Sequence, residues 1–260
     1  MPPPLLDVHG VVVGMFTQSW QQRRAIWDMM TVPLIISIAI QLAAQLLLDM
    51  RGFSLGTLAA RLLDAIPTTM FLVAWLRRLL LGEAAAHWLP GLVWSARETR
   101  FLLHLMSLAL VPAVLLVLPL LGNPGELSAQ ARAVGVGALV MVVFALRLAF
   151  GLSATAVDLR WDPAQSWRYG RGRGLAIIAI MLVPILLGAA LSLAALLAST
   201  ALLEPFVDES AGQSPARLLV ILLVSGIVAY AQTAVIGVAL AEIFRAVTGF
   251  RPGTALQPPP

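Results

Sequence analysis

The stretch Met29–Leu48, MMTVPLIISIAIQLAAQLLL, decides the class of fold. It carries no charged side chain, and Asp28 and Asp49 bound it on either side. A helix needs about 20 mostly apolar residues to cross the hydrocarbon layer of a bilayer, and this run has that length. The sequence therefore predicts a transmembrane helix at this position.

The composition of the whole chain points to the same class of protein. Hydrophobic residues make up 60% of the 260 residues and charged residues only 12%, against about 25% charged residues in soluble globular domains. A soluble domain with so few charges could not cover its apolar core with polar surface, whereas lipid tails solvate the apolar faces of membrane helices. The chain is therefore predicted to be an all-α integral membrane protein.

Five further apolar stretches have the length of a membrane span. Together with the first span at about 29–48, they predict a polytopic protein of six transmembrane helices, the other five lying at about 57–81, 101–121, 133–157, 175–203 and 218–241. We therefore expect an N-terminal cytoplasmic or interfacial segment at 1–28, a transmembrane domain at 29–249 and a disordered C-terminal tail at 250–260.

The 17 basic residues are all arginine, and they are unevenly distributed between the two sides of the predicted membrane domain. Both termini and two loops carry Arg23, Arg24, Arg77, Arg78, Arg97, Arg100, Arg160, Arg168, Arg171, Arg173, Arg245 and Arg251. The other side carries Arg51, Arg61, Arg132 and Arg217. The positive-inside rule therefore predicts that both termini are cytoplasmic. Because the start, MPPPLLDVHG, has neither a positive n-region nor a cleavage site, we expect the first span to act as an uncleaved signal and the protein to lie in a bacterial inner membrane.

Three tryptophans mark an internal repeat. Trp20, Trp94 and Trp167 recur at nearly equal spacing along the chain, and each introduces an arginine-containing segment before a predicted span. Tryptophan and arginine are typical of segments at headgroup level. We therefore predict three tandem hairpins, each introduced by a short interfacial amphipathic helix on the cytoplasmic side. Asp162 and Gln165 have the spacing of a capping box that begins one of these helices.

No catalytic or metal-binding pattern is present in the sequence. It contains no H-E-x-x-H, G-x-S-x-G or Walker A motif. The chain has no cysteine, and its histidines, His9, His87 and His104, lie far apart. We therefore predict a protein that is not an enzyme and that has no metal, no cofactor and no nucleic-acid partner.

Arg147 lies inside the fourth predicted span. A charge there costs at least about 2.5–3.5 kcal/mol, so the side chain should face the helix bundle or reach the cytoplasmic interface. Two interpretations remain open. The guanidinium contacts an anion or a lipid phosphate, or it is a structural tie to helix-end carbonyls or to a carboxylate such as Glu83 or Glu242.

Other polar residues also lie within predicted spans, among them Gln41 and Gln45, which are predicted to form hydrogen bonds between helices. Arg61 and Asp64 are both on the second span, at a spacing that permits an ion pair near the outer interface. An aspartate at this depth is also what a proton relay would use, and both interpretations remain open. His104 and Gln232 are predicted to form hydrogen bonds between helices.

The arginines of the predicted cytoplasmic loops are candidates for binding anionic lipid. Each arginine near an anionic membrane surface contributes about 1 kcal/mol. The candidates are Arg97, Arg100, Arg168, Arg171 and Arg173, together with Arg147. The alternative is that these loops are simply solvated.

The stretch from Leu146 to Asp158, LRLAFGLSATAVD, and the segment from Trp161 to Gly174 that follows it resemble uncharacterised bacterial six-helix inner-membrane proteins of alphaproteobacterial type. In that family an arginine in the fourth span precedes a P-A-x-A-V-D-like stretch; this chain has Ser153 where the family usually has proline. More distantly the chain resembles YciC-type proteins and the membrane domain of glycerophosphodiester phosphodiesterases. The resemblance implies the six-helix layout and no molecular activity.

Two functions fit these features. The first is a non-enzymatic inner-membrane protein that contacts anionic lipids or acts as a subunit beside another membrane protein. The second is a small transporter or channel subunit that uses Arg147 and Asp64.

Overall fold

The fold was analysed in a computed structural model, which describes residues 6–48, 55–83, 94–117, 139, 142–203 and 215–253. Throughout these ranges the chain is helical apart from turns and short connections, and it contains no strand, which confirms the all-α prediction. The helices are α1 (Val8–Gln21), α2 (Arg23–Leu48), α3 (Leu55–Leu81), α4 (Ala96–Val117), α5 (142–148), α6 (Gly151–Ala156), α7 (Pro163–Tyr169), α8 (Gly174–Leu203) and α9 (Pro215–Thr248).

Three of these helices are long and apolar enough to cross a membrane: Arg23–Gln45 in α2, Gly174–Ser199 in α8 and Leu218–Thr248 in α9. Leucines also remain exposed along α8, for example Leu186, Leu191 and Leu197. A helix that is apolar on all sides and leaves large side chains uncovered is suited to lipid rather than to water. The protein is therefore membrane-embedded.

The core lies where α3 packs against α9. Phe71, Trp75 and Leu76 of α3 are fully buried. The Trp75 indole N–H donates to the backbone carbonyl of Ala234 on α9 at 2.9 Å. Gly237 makes room for this approach, because a Cβ there would lie 2.6 Å from the Trp75 ring. α9 also contacts α1, α2, α6 and α8.

The fourth predicted span, 133–157, is not one continuous helix in its described part. A turn at Ala149 and Phe150 separates α5 from α6. At Gly151 a Cβ would lie 2.6 Å from Trp161 Nε1. The chain bends here because the segment leading into α7 packs directly against the backbone at a residue without a side chain. Positions 133–138, 140 and 141 of this span lie outside the described residues.

The C-terminal end of the folded part differs from the predicted tail at 250–260. Phe250 is buried, and its ring lies 5.3 Å from that of Phe244 on α9. The apolar contact holds the chain against the bundle for at least this residue. Residues 254–260 lie outside the described residues.

Candidate functional site

The short helix α7 begins with the predicted capping box. Asp162 Oδ1 accepts a hydrogen bond from the Gln165 backbone N–H at 2.7 Å, and Gln165 Oε1 accepts one from the Asp162 N–H at 3.1 Å. The Trp161 indole donates to Ser166 Oγ at 2.7 Å, and this hydroxyl donates to the Leu148 carbonyl at 3.3 Å. α7 is therefore fixed against the α5–α6 segment.

Arg147 of α5 packs against the Trp167 ring of α7. The guanidinium carbon lies 3.6 Å from the ring centroid, which is a cation–π contact. The Phe144 ring is nearly parallel to the same indole, at 5.5 Å. At Gly174 a Cβ would lie only 3.2 Å from the guanidinium carbon, so glycine leaves room for the arginine. Arg147 Nε is buried without a hydrogen-bond partner among the described residues.

Neither carboxylate suggested as a tie for Arg147 contacts it. Glu83 pairs with Arg78, and Glu242 pairs with Arg245 at 2.8 Å. Each glutamate has an arginine close by in sequence, which is the nearer partner. Within the described part of the chain, the contact of Arg147 is therefore with an aromatic ring and not with an anion.

Two arginines beside Trp167 have no carboxylate partner among the residues that the structure describes. Arg168 and Arg171 are both exposed, and neither forms an ion pair with any described residue. Arg168 Nε bonds only to the carbonyl of Ala164 in its own helix, at 3.4 Å. Trp167 is itself 40% exposed. We call Arg147, Trp167, Arg168 and Arg171 the α7 platform; it combines exposed positive charge with an exposed aromatic ring.

Arg173 is separated from this platform. It is only 9% exposed, and its Nη1 lies 3.5 Å from the carbonyl of Val247 near the end of α9. A cation near the last carbonyls of a helix is favourable because these groups carry partial negative charge. Arg173 therefore joins the start of α8 to the end of α9.

A second arginine cluster surrounds Asp158, just after α6. Arg77 Nη1 lies 3.0 Å from Asp158 Oδ2 and donates to the carbonyl of Ala156 at 3.1 Å. Arg97 Nε donates to Asp158 Oδ1 at 2.8 Å, and Arg100 Nη2 lies 3.8 Å from the same oxygen. The cluster joins α3, α4 and α6.

Partial burial and the neighbouring arginines shift the pKa of the Asp158 carboxyl in opposite directions. Partial burial raises the pKa of its carboxyl, but the hydrogen bond and charge of Arg97 and the charge of Arg77 lower it by more, so the pKa lies below its ordinary value. The hydrogen bond to Asp158 raises the pKa of Arg97. Asp158 has a φ of +64°, a left-handed conformation that aspartate tolerates better than most residues.

The N-terminus of α4 positions Arg97. The Glu98 carboxylate accepts hydrogen bonds from the backbone N–H and the hydroxyl of Ser95, and Ser95 Oγ accepts one from the Arg97 N–H at 3.2 Å. This reciprocal capping is typical of a helix start. Glu98 also lies 3.7 Å from Arg97 Nη1, so Arg97 contacts two carboxylates.

The intramembrane candidates fall into separate clusters. Asp64 of α3 accepts hydrogen bonds from Ser37 and Gln41 of α2. The predicted Arg61–Asp64 ion pair lies outside the described residues, because the Arg61 side chain is not among them. His104 Nδ1 is 3.3 Å from Thr155 Oγ1, which links α4 to α6.

Gln232 of α9 links two of the membrane helices. Its Nε2 lies 3.4 Å from the carbonyl of Pro184 and 3.5 Å from that of Ile185, both on α8. Gly188 leaves the space for this side chain, because a Cβ there would collide with the Gln232 amide. This is the kind of interhelical hydrogen bond expected for Gln232.

Sequence reasoning did not select three residues that the structure brings into these clusters: Ser37, Asp158 and Glu98. Ser37 was detectable in principle, because it lies one helical turn before Gln41 in an otherwise apolar span and so shares a helix face with it. Asp158 and Glu98 needed knowledge of which helices are neighbours. No group of three or more histidine, aspartate or glutamate side chains that could hold a metal occurs in the described ranges.

The chain matches no protein-family model, no curated protein and no solved structure. The resemblance to six-helix bacterial inner-membrane proteins therefore stays a prediction.

Proposed function

We propose that this chain is a non-enzymatic protein of a bacterial inner membrane whose α7 platform binds anionic lipid headgroups on the cytoplasmic side. The observation that carries the proposal is the exposed pair Arg168 and Arg171, which has no carboxylate partner in the described part of the chain, beside the exposed Trp167. Arginine binds phosphate through its planar fork of donors, and tryptophan favours the headgroup region.

The proposed topology has six spans, arranged as three tandem hairpins with both termini in the cytoplasm. Contacts of α2 with α3 and of α8 with α9 support the first and third hairpins. The three repeat tryptophans also support the interfacial segments: Trp20 is 70% exposed, and Trp94 and Trp167 are each 40% exposed.

Charge reversal at the platform tests the lipid proposal. The variant Arg168→Glu/Arg171→Glu should retain fewer anionic lipids than the wild type in native mass spectrometry. Two arginines near an anionic surface contribute about 2 kcal/mol, equivalent to roughly a 30-fold loss of affinity. Anionic lipid retention equal to that of the wild type would contradict the proposal.

The control variant Arg51→Glu/Arg132→Glu makes the same change in net charge on the predicted opposite side. It should leave the retention of anionic lipid close to that of the wild type. If both variants lose lipid equally, overall charge and not the α7 platform determines the binding.

A small transporter or channel subunit is the second candidate, and one observation favours it. Asp64 is hydrogen-bonded across two helices within the membrane domain. Arg147, the other residue invoked for transport, contacts Trp167 and shares no partner with Asp64. The second candidate therefore depends on the Asp64 cluster alone.

A further inference from the structure

The polar cluster around Asp64 is not used by the proposed lipid contact. Both carboxylate oxygens accept hydrogen bonds from α2: Ser37 Oγ donates to Oδ1, and Gln41 Nε2 donates to Oδ2 at 3.1 Å. Ser37 is 4% exposed. Because Ser37 and Gln41 are one turn apart on a helix, they share the face that meets α3.

The residues around Asp64 on α2 and α9 lie well inside their helices. Ser37 is near the middle of α2, which runs from Arg23 to Leu48, and Tyr230 is near the middle of α9, which runs from Pro215 to Thr248. With a rise of about 1.5 Å per residue, both are at least about 16 Å along the helix axis from either end. Asp64 itself is nine residues from the start of α3, about 14 Å along the helix axis. An ionised carboxylate within a membrane span is costly.

Tyr230 supplies the second observation at this place. Its side chain is 4% exposed, and its hydroxyl has no hydrogen-bond partner among the described residues. The hydroxyl lies beside Ser37 and Thr68 and close to the Asp64 carboxylate. The Phe71 ring, edge-to-face at 5.4 Å, holds the tyrosine in this position. Tyr230 therefore places a buried hydroxyl next to the Ser37 hydroxyl that bonds to Asp64.

We propose that Asp64 is a proton-binding site within the membrane, served in its two protonation states by Ser37, Gln41 and Tyr230. The step is the addition of one proton to the carboxylate: an O–H bond forms at Oδ1, and no electrons are transferred. The Ser37 hydroxyl can donate to the ionised form and turn to accept from the protonated form. Gln41 Nε2 can only donate and stays on Oδ2, and the Tyr230 hydroxyl acts through its neighbour Ser37.

Among the described side chains, Tyr230 on α9 is the titratable group beside this site. In the sequence, Arg61 is three residues before Asp64 on α3. The charged residues of α2 lie in its first two turns, between Arg23 and Asp28, far from Ser37. The site goes beyond the lipid contact, since it shares no residue with the α7 platform.

Infrared difference spectra of the purified full chain in nanodiscs, recorded over a pH series, test this site. The wild type should show the C=O stretch of a protonated carboxyl that Asp64→Asn lacks. Glu98→Gln, which alters a buried carboxyl outside the cluster, should keep this band. Identical spectra for the wild type and Asp64→Asn would overturn the proposal.

Two variants keep the carboxyl and change only its partners. Ser37→Ala and Gln41→Leu each remove a hydrogen-bond donor to the ionised form, so each should move the midpoint of the band to higher pH. If Asp64→Asn does not fold, midpoints that stay at the wild-type value in both of these variants overturn the proposal.

The same spectra decide between a proton and a metal cation, and they test Arg61. Sodium added at fixed pH should leave the band unchanged; a loss of the band with sodium would assign the site to a metal cation and overturn the proton assignment. A band that is present only in Arg61→Gln would show that an ion pair keeps Asp64 ionised in the native chain, which also overturns it.

Discussion

Asp158 accepts hydrogen bonds from arginines of α3 and α4, and a single substitution can measure what this contact contributes. Asp158→Asn keeps the shape and tolerates the left-handed backbone but removes the charge. We expect the free energy of unfolding to fall by about 1 kcal/mol, the upper range for partly exposed ion pairs. Thermal or denaturant unfolding in detergent micelles at neutral pH measures this difference.

The difference in the free energy of unfolding between the wild type and Asp158→Asn should depend on pH in one direction. Because the pKa of Asp158 is lower in the folded protein than its ordinary value, the stabilisation is complete above the unfolded-state pKa of about 3.9 and is lost as the pH falls through the folded-state pKa. The gap in the free energy of unfolding between the wild type and Asp158→Asn should therefore be constant from pH 5 to 8 and close in acid. A gap that widened in acid would contradict the assignment.

Glu242→Gln is a comparison variant, because the partner of Glu242 lies one turn away on the same helix. It should lower the free energy of unfolding by about 0.2–0.5 kcal/mol.

The sequence identified the arginines that are candidates for lipid binding, but it did not show which of them are buried in the fold. The arginine-rich loop was identified from composition, and Arg168 and Arg171 are exposed as a lipid contact requires. Arg173 is only slightly further along the chain and is buried, because the chain turns into α8 there and aims its side chain at Val247. Local sequence carries no information about the end of α9, which is remote from Arg173 along the chain.

The contact of Gly188 with Gln232 lies where helices α8 and α9 pack against each other. Gly188→Ala places a methyl group against the Gln232 amide and breaks its bonds to the α8 carbonyls. We expect a loss of about 1–2 kcal/mol in the free energy of unfolding, as is usual for overpacking. Gln232→Ala alone should cost about 0.6 kcal/mol, the average for interhelical hydrogen bonds in membranes.

The double variant provides the decisive comparison. Gly188→Ala/Gln232→Ala should be no less stable than Gln232→Ala, because the smaller residue at 232 removes the collision. Gly14→Ala on α1 is the matched control, since nothing lies within 4 Å of a Cβ at that glycine. Additive losses in the double variant would show that the two residues are not packed against each other.

Element positions were the most predictable feature. The spans predicted at 29–48, 57–81, 175–203 and 218–241 all lie on the long helices α2, α3, α8 and α9, because length and hydropathy are local properties. The break between α5 and α6 was not predicted. The sequence is mostly apolar there and gives no sign of a break, and the bend lies where Trp161 packs against Gly151, a contact between segments.

The proposed six-span topology concerns the whole molecule, and the absence of cysteine from the sequence makes it straightforward to test. Single cysteines can be introduced without removing any native thiol. In intact cells, a membrane-impermeant maleimide should label Ser54→Cys, Ser128→Cys and Ser210→Cys. Ala164→Cys and Thr254→Cys should react only after the membrane is opened, because the arginine distribution predicts that both positions are cytoplasmic.

The labelling pattern also tests the individual spans. If the variant Ser54→Cys is not labelled while the separate variant Ser210→Cys is labelled, the helix at 57–81 does not cross the membrane. Equal labelling at all five positions in intact cells would contradict the predicted orientation altogether.

The central position of α9 has a consequence for biogenesis. α9 follows every other described helix in the chain, yet it contacts α1, α2, α3, α6 and α8 and supplies both Ala234 for Trp75 and Tyr230 for the Asp64 cluster. Until the ribosome has synthesised α9, the faces of α2 and α3 that later contact α9 remain uncovered. A chain arrested before residue 215 would therefore expose an incomplete polar surface that quality-control proteases of the membrane could recognise.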